Sequence, residues 1–275
     1  MDEPAEVSQM PAPPPAPPPI APLVKRHRLS TRIWHWINVV SATIMLMSGL
    51  MILNAHPRLY WGQYGANPDH AWLTFGTEGG PSPFPGWITI PSYYSLSDAR
   101  LWHLAFAWVL GLGIVLYLLW SLFNGHIKRD LLPKLAELSP RHLWQDIKDH
   151  AALRFPTGEA ALAYNILQKG AYGAVLFVLL PGIVLTGLAM SPGVTAAWHW
   201  LPDMFGGRQS ARSFHFIFAA GLVLFFVVHI AMVVLAGPIN EVRSMITGMY
   251  RLSQAKPEKM PKGQAKQEAS HAEQD

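Results

Sequence analysis

The sequence predicts an all-α integral membrane protein: a four-helix bundle with both termini cytoplasmic and a long periplasmic loop between helices 1 and 2. Three observations carry this. Charged residues make up only 14% of the 275 and hydrophobic residues 51%, whereas soluble domains carry roughly 25% charged residues to cover their surface. Four stretches, 33–55, 101–127, 170–202 and 213–240, contain no Asp, Glu, Lys or Arg. Each holds the ~20 residues that a helix needs to cross the hydrocarbon. The basic residues are also segregated. Lys25, Arg26, Arg28 and Arg32, seven between Lys128 and Lys169, and six in the C-terminal tail fall on one side of the four spans. Only Arg58, Arg100, Arg208 and Arg212 fall on the other, so the positive-inside rule puts both ends in the cytoplasm.

Residues 1–24, with nine Pro and no long apolar run, read as a disordered cytoplasmic tail rather than a secretory signal. Residues 25–250 form the transmembrane domain, and 251–275 form a second disordered tail rich in Lys, Gln and Glu. The third span carries Pro181–Gly182 at its middle, which predicts a kink, and an exit near Met190–Pro192. The 54–100 connection is long, with nine aromatics, six Gly and six Pro between 54 and 99. In the connection from 128 to 169, Ser139–Pro140 reads as an N-cap followed by Pro at the first helical position. Leu143, Trp144, Ile147 and Ala151 then share one face of a short helix on the membrane surface.

Cysteine is absent, which excludes disulfides, Cys-type zinc sites, iron–sulfur clusters, covalent haem attachment and thiol nucleophiles. The net charge of +4 reflects the one-sided basic residues and is no sign of nucleic-acid binding. What remains for redox or metal chemistry is histidine.

Four histidines lie within or at the edge of the spans: His35 in the first, His103 in the second, His215 and His229 in the fourth. Ionisable residues at such depths mark function by default; a single one is as readily an interfacial histidine at a helix end. His215 and His229 are 14 residues apart, nearly four turns, so they share a helix side, separated by roughly 21 Å along the axis. Depth then pairs His35 with His229 near the cytoplasm and His103 with His215 near the periplasm. Two stacked bis-imidazole sites in a four-helix bundle are what two b-type haems require, with the four histidines as iron ligands.

The sequence also repeats an Arg three residues before a His: R-I-W-H at 32–35, R-L-W-H at 100–103 and R-S-F-H at 212–215. This places Arg32, Arg100 and Arg212 one turn nearer the headgroups, where they suit haem propionates. Interfacial anchoring explains Arg32 equally well, since it lies on the basic side, but accounts poorly for Arg100 and Arg212. Gly49 lies 14 residues after His35, and Gly173 and Gly187 are 14 apart, a spacing that suits small residues facing two flat macrocycles. His126, at the end of the second span, suits an interfacial role or a proton carrier for a quinone headgroup. The alternative class is a proton or metal-ion transporter using the intramembrane histidines. Such carriers usually place Asp or Glu in the membrane, and these spans hold none.

With R-x-x-H opening helix 1, His opening helix 2 and H-x(13)-H in helix 4, the chain resembles the di-haem cytochrome b subunits of bacterial membrane oxidoreductases. These include the nickel–iron hydrogenase cytochrome b, the formate dehydrogenase gamma subunit and the thiosulfate-reductase-type cytochrome b. The resemblance covers about residues 25–250 and implies electron transfer between the quinone pool and a periplasmic redox subunit, by preference a molybdopterin oxidoreductase, in the bacterial inner membrane. The stretch Y-N-I-L-Q-K at 164–169 is similar to the Y-N-x-x-Q-K of the formate dehydrogenase gamma subunit. By that likeness Asn165 and Gln168 meet a quinone beside the His35–His229 haem. The long 54–100 loop suits the thiosulfate-reductase-type branch better than the hydrogenase one, and a loop this large and apolar packs on a partner or covers the outer haem.

Overall fold

The computed structural model describes residues 22–66, 69–77, 80–125, 139–152 and 166–252. Four helices long and apolar enough to cross a membrane lie among them: α1 (Leu29–Ala55), α2 (Leu96–Phe123), α4 (Ile166–Met190) and α6 (Arg208–Ala236). Each begins four or five residues before one uncharged stretch, where helices extend past the hydrocarbon into their caps; the third ends at Met190, twelve residues short of 202, at the exit expected near Met190–Pro192. α2 starts where the Ser95 hydroxyl accepts from the Asp98 N–H at 3.3 Å, with the Asp98 carboxylate in the first turn. α6 follows Gly206 and Gly207, at φ +76 and +113, and stops at Gly237, φ +114. There the left-handed backbone ends the helix and Pro238 starts α7 (Pro238–Thr247).

α1 packs along α2, and α4 along α6, whereas the two hairpins touch each other sparingly. Side chains fully buried in the spans are mostly small and hydroxylated: Ser41, Ser48, Ser121, Thr186 and Ser213. Without a hydrophobic drive between helices in lipid, small residues let backbones approach, and the larger apolar side chains face outward. Gly113 admits the Trp34 ring and Gly182 the Phe218 ring, each closer to the glycine than a Cβ would permit.

The expected break in the third span takes a specific form. A π-helical turn, Val175–Leu179, precedes Pro181. Pro181 has no N–H for the carbonyl of Phe177, and its ring crowds that carbonyl, so the turn before it widens. The helix ends at Met190, and Pro192 opens the short α5 (Pro192–Ala197). α3 (Pro140–Ala151) forms where Ser139–Pro140 predicted it, with Leu143, Trp144 and Ile147 exposed on its apolar side.

At one end of the bundle the first and last described segments are tied together. β1 (Leu23–Lys25) pairs antiparallel with β4 (Met249–Arg251). Arg26 reaches Glu241 of α7 at 3.0 Å and lies 4.5 Å over the Tyr250 ring. Burial holds His27 well below the usual imidazole range, at about 4, with neighbouring Arg26 adding to the effect. Trp36 Nε1 donates to the Met245 carbonyl at 3.2 Å, and Arg32 donates to that of Ile246. This is the ribbon end. Nothing in the residue pattern announces the ribbon or α7.

The opposite, loop end is closed by the 54–100 connection. β2 (Arg58–Leu59) pairs with β3 (Leu73–Thr74), and Leu59 and Tyr60 are buried against the bundle. The Trp72 indole donates to Ser213 Oγ at 2.8 Å, and the Ser213 hydroxyl donates to the Tyr60 carbonyl at 2.6 Å. Asn54 brackets Phe84, donating to its carbonyl and accepting from its N–H at 2.8 and 2.9 Å. The loop therefore covers its own bundle, while Tyr64, Trp87, Tyr93 and Tyr94 stay exposed. Ser213→Ala strands the Trp72 donor and the Tyr60 acceptor together, and is expected to destabilise the protein by about 2 kcal/mol. A lowered Tm in detergent checks this; an unchanged Tm contradicts it.

Candidate functional site

The four intramembrane histidines come together in two pairs, joined as depth predicted. At the ribbon end, His35 of α1 and His229 of α6 have ring centroids 6.4 Å apart, tilted by 56°. At the loop end, His103 of α2 and His215 of α6 are 6.2 Å apart, tilted by 60°. Both pairs bridge the two hairpins. α6 contributes to both because 14 residues return its side chains to one face.

The loop-end pair is held by a device used twice. Ser48 Oγ lies 3.0 Å from His103 Nδ1, and Thr186 Oγ1 lies 3.0 Å from His215 Nδ1. Each hydroxyl also sits 2.7 Å from a carbonyl of its own helix, Ile44 for Ser48 and Gly182 for Thr186. A carbonyl only accepts, so a hydroxyl hydrogen given to it leaves the oxygen to accept from the imidazole, and the Met45 and Ile183 carbonyls are further acceptors beside His103 and His215. Nδ1 therefore carries the proton, and the lone pair of Nε2 is free. The residue after each hydroxyl is glycine, and a Cβ at Gly49 or Gly187 would lie 3.5 or 3.4 Å from the Cε1 of the same histidine.

The ribbon-end pair is built differently. His35 Nδ1 is buried with no hydrogen-bond partner, and its ring stands edge-on to Trp36 at 5.2 Å. The His229 ring stacks on Phe225 at 5.9 Å, and Tyr172 of α4 meets Phe225 edge-on at 6.3 Å. Gln168 lies four residues before Tyr172 on the same helical face, and so at the same end as His229. Asn165 and His126 lie outside the described residues.

The arginines are placed unequally. Arg32 reaches the Ile246 carbonyl at the ribbon end while its Nε is buried without a partner. Arg212 donates to the carbonyls of Arg58, at 3.2 Å, and His56, tying the loop to α6 one turn from His215. Arg100 is exposed at the start of α2. Of the glycines singled out by spacing, Gly49 and Gly187 stand against histidines, whereas Gly173 faces open space. Sequence reasoning missed Ser48 and Thr186. A signal existed in the Ser-Gly and Thr-Gly dipeptides at 48–49 and 186–187, inside otherwise apolar runs.

The prokaryotic cytochrome b561 sequence pattern matches residues 26–248, which hold all four spans and all four histidines. The chain belongs to this family. It is 32% identical over 209 residues to a protein of Azospira oryzae named "Putative protein-methionine-sulfoxide reductase subunit YedZ1", covering 74% of this chain and 87% of that protein. It is 23% identical to a "Probable Ni/Fe-hydrogenase B-type cytochrome subunit" of Azotobacter vinelandii, covering 74% of this chain and 77% of that one. No solved structure gives a significant match. This cytochrome b561 relative is thus a multi-pass membrane protein of the cytochrome b type, an electron-transfer subunit of a membrane oxidoreductase.

Proposed function

We propose that the chain binds two b-type haems, one between His35 and His229 and one between His103 and His215. It would carry electrons between the quinone pool at its cytoplasmic ribbon end and a redox subunit at its periplasmic loop end. The separation within each histidine pair carries the reading. Metal–imidazole bonds of about 2 Å, with about 1.1 Å from each nitrogen to its ring centre, would put the centres of two imidazoles holding one iron up to about 6.3 Å apart. The observed 6.4 and 6.2 Å fit an iron between each pair. The freed Nε2 lone pairs of His103 and His215 and the unpartnered Nδ1 of buried His35 fit the same chemistry.

Haem, when bound, supplies one-electron iron chemistry. The chain's own residues hold the rings, exclude water and set the surroundings. Arg32, Arg100 and Arg212 each lie three residues, about one turn, outside His35, His103 and His215, a position suited to propionates. The first and last described segments lie on one side, joined through β1 and β4, which supports cytoplasmic termini given the basic residues there. The relatives' names pair this family with a hydrogenase and a methionine-sulfoxide reductase; a molybdopterin oxidoreductase remains the preferred partner by resemblance. A transporter built on a metal-ion site has less support: no cluster of three or more His, Asp or Glu that could hold a metal occurs among the described residues.

Quinone exchange belongs at the ribbon end, where Gln168 shares a face with Tyr172; Asn165, three residues earlier in the sequence, joins it by resemblance. A carboxamide donates to a quinone carbonyl without bringing charge into a low-dielectric place. Quinol added to the purified chain is expected to reduce its haems in a stopped-flow spectrophotometer. Asn165→Ala should slow that reduction about tenfold, the loss of one hydrogen bond, with haem spectra unchanged. Wild-type haems that quinol fails to reduce would contradict the quinone assignment.

A further inference from the structure

We infer that Ser48 and Thr186 are positioning residues that set the tautomer and the donor strength of His103 and His215, and so lower the reduction potential of the loop-end haem. This rests on the two-haem reading and adds a role for residues outside the histidines. The hydroxyls belong to different hairpins, α1 and α4, yet take the same position. Each is fully buried, each gives its hydrogen to a carbonyl of its own helix, and each faces the Nδ1 of the histidine on the next long helix at 3.0 Å. His103 and His215 are each the eighth residue of their helix, α2 and α6. The two hairpins thus present equivalent supports from opposite sides of one site.

The chemistry follows from the direction of the hydrogen bond. With its hydrogen committed to a carbonyl of its own helix, each hydroxyl offers its oxygen to Nδ1–H, and the neighbouring Met45 and Ile183 carbonyls act on His103 and His215 in the same sense, so the proton is held on Nδ1 and the lone pair left on Nε2. Donation from Nδ1–H raises the basicity of Nε2, and a more basic axial ligand favours Fe(III) over Fe(II). The ribbon-end pair lacks this support at His35, whose Nδ1 has no partner. The same substitution logic therefore applies to one haem and leaves the other as an internal reference.

The test is an optical redox titration, with electron paramagnetic resonance spectra, of the full chain purified as wild type, Ser48→Ala, Thr186→Val and Thr186→Ser. In Ser48→Ala and Thr186→Val the loop-end haem is expected to shift its Fe(III)/Fe(II) equilibrium about tenfold toward Fe(II), an upward move of about 59 mV for one electron. The ribbon-end haem should stay in place. Thr186→Ser, which keeps the hydroxyl, should titrate like wild type. Loss of the loop-end haem from Thr186→Val with its retention in Thr186→Ser supports the same role. Two haems with unmoved midpoints in Ser48→Ala and Thr186→Val overturn the inference and leave the haem reading intact. So does an equal shift in Thr186→Ser, which would assign the effect to packing. A wild-type chain without haem ends the two-haem reading itself, before any variant is compared.

Discussion

His229→Ala is expected to leave one haem per chain and to abolish its reduction by quinol. The substitution would remove one of the two imidazoles proposed to hold the ribbon-end haem, leaving His35, whose Nδ1 has no hydrogen-bond partner to orient it. It also removes the ring on which Phe225 stacks, and through Phe225 the link to Tyr172 of α4. Loss of this haem therefore disconnects the quinone region from the rest of the protein. Haem quantification and low-temperature optical spectra check the outcome. The loop-end haem, 14 residues away along α6, keeps its spectrum because its ligands and their hydroxyl supports are untouched. If the loop-end signal disappears while the ribbon-end signal stays, the pairing of the four histidines is wrong.

His103→Ala is the complementary case and separates the two sites by function. It too should leave one haem, but that haem is expected to remain reducible by quinol, because His35, His229, Gln168 and Tyr172 are unaltered. Electrons should then stop there, and an artificial acceptor confined to the periplasmic side of sealed vesicles should no longer be reduced. The expected loss is near-complete, since the remaining haem is roughly 21 Å deeper along the helix axis. Undiminished transfer to that acceptor would remove the loop-end haem from the pathway. The substitution also leaves Ser48 without its imidazole partner, but the hydroxyl keeps its bond to the Ile44 carbonyl, so α1 is expected to stay intact.

The spans and the four histidines were legible because both signals are one-dimensional. Absence of charge over some twenty residues identifies a membrane helix without reference to its neighbours. The 14-residue interval between His215 and His229 reports a common helix face in the same way. Basic residues segregated by compartment then fixed which histidines share a depth. What escaped reading depends on contacts between segments distant in sequence. The ribbon joins Leu23–Lys25 to Met249–Arg251, and neither segment has the alternation or length that announces a strand. Ser48 and Thr186 look like ordinary small residues that let membrane helices approach; only the histidine across the interface gives them another use. Arg212 matched a regular motif, yet in the structure its guanidinium holds the carbonyls of His56 and Arg58. The aromatic loop was open to two readings, a partner surface or a cover. Its buried Leu59 and Tyr60 and its bonds to Ser213 and Asn54 show that it covers the bundle end.

The central claim is that four histidines hold two irons, and haem stoichiometry tests it most directly. A pyridine haemochrome assay on the purified full-length chain, normalised to protein by amino-acid analysis, should give two protohaems per chain. Each of His35→Ala, His103→Ala, His215→Ala and His229→Ala should lower that to one. A wild-type value of zero would contradict the account, and so would a value of two that none of the four substitutions reduces.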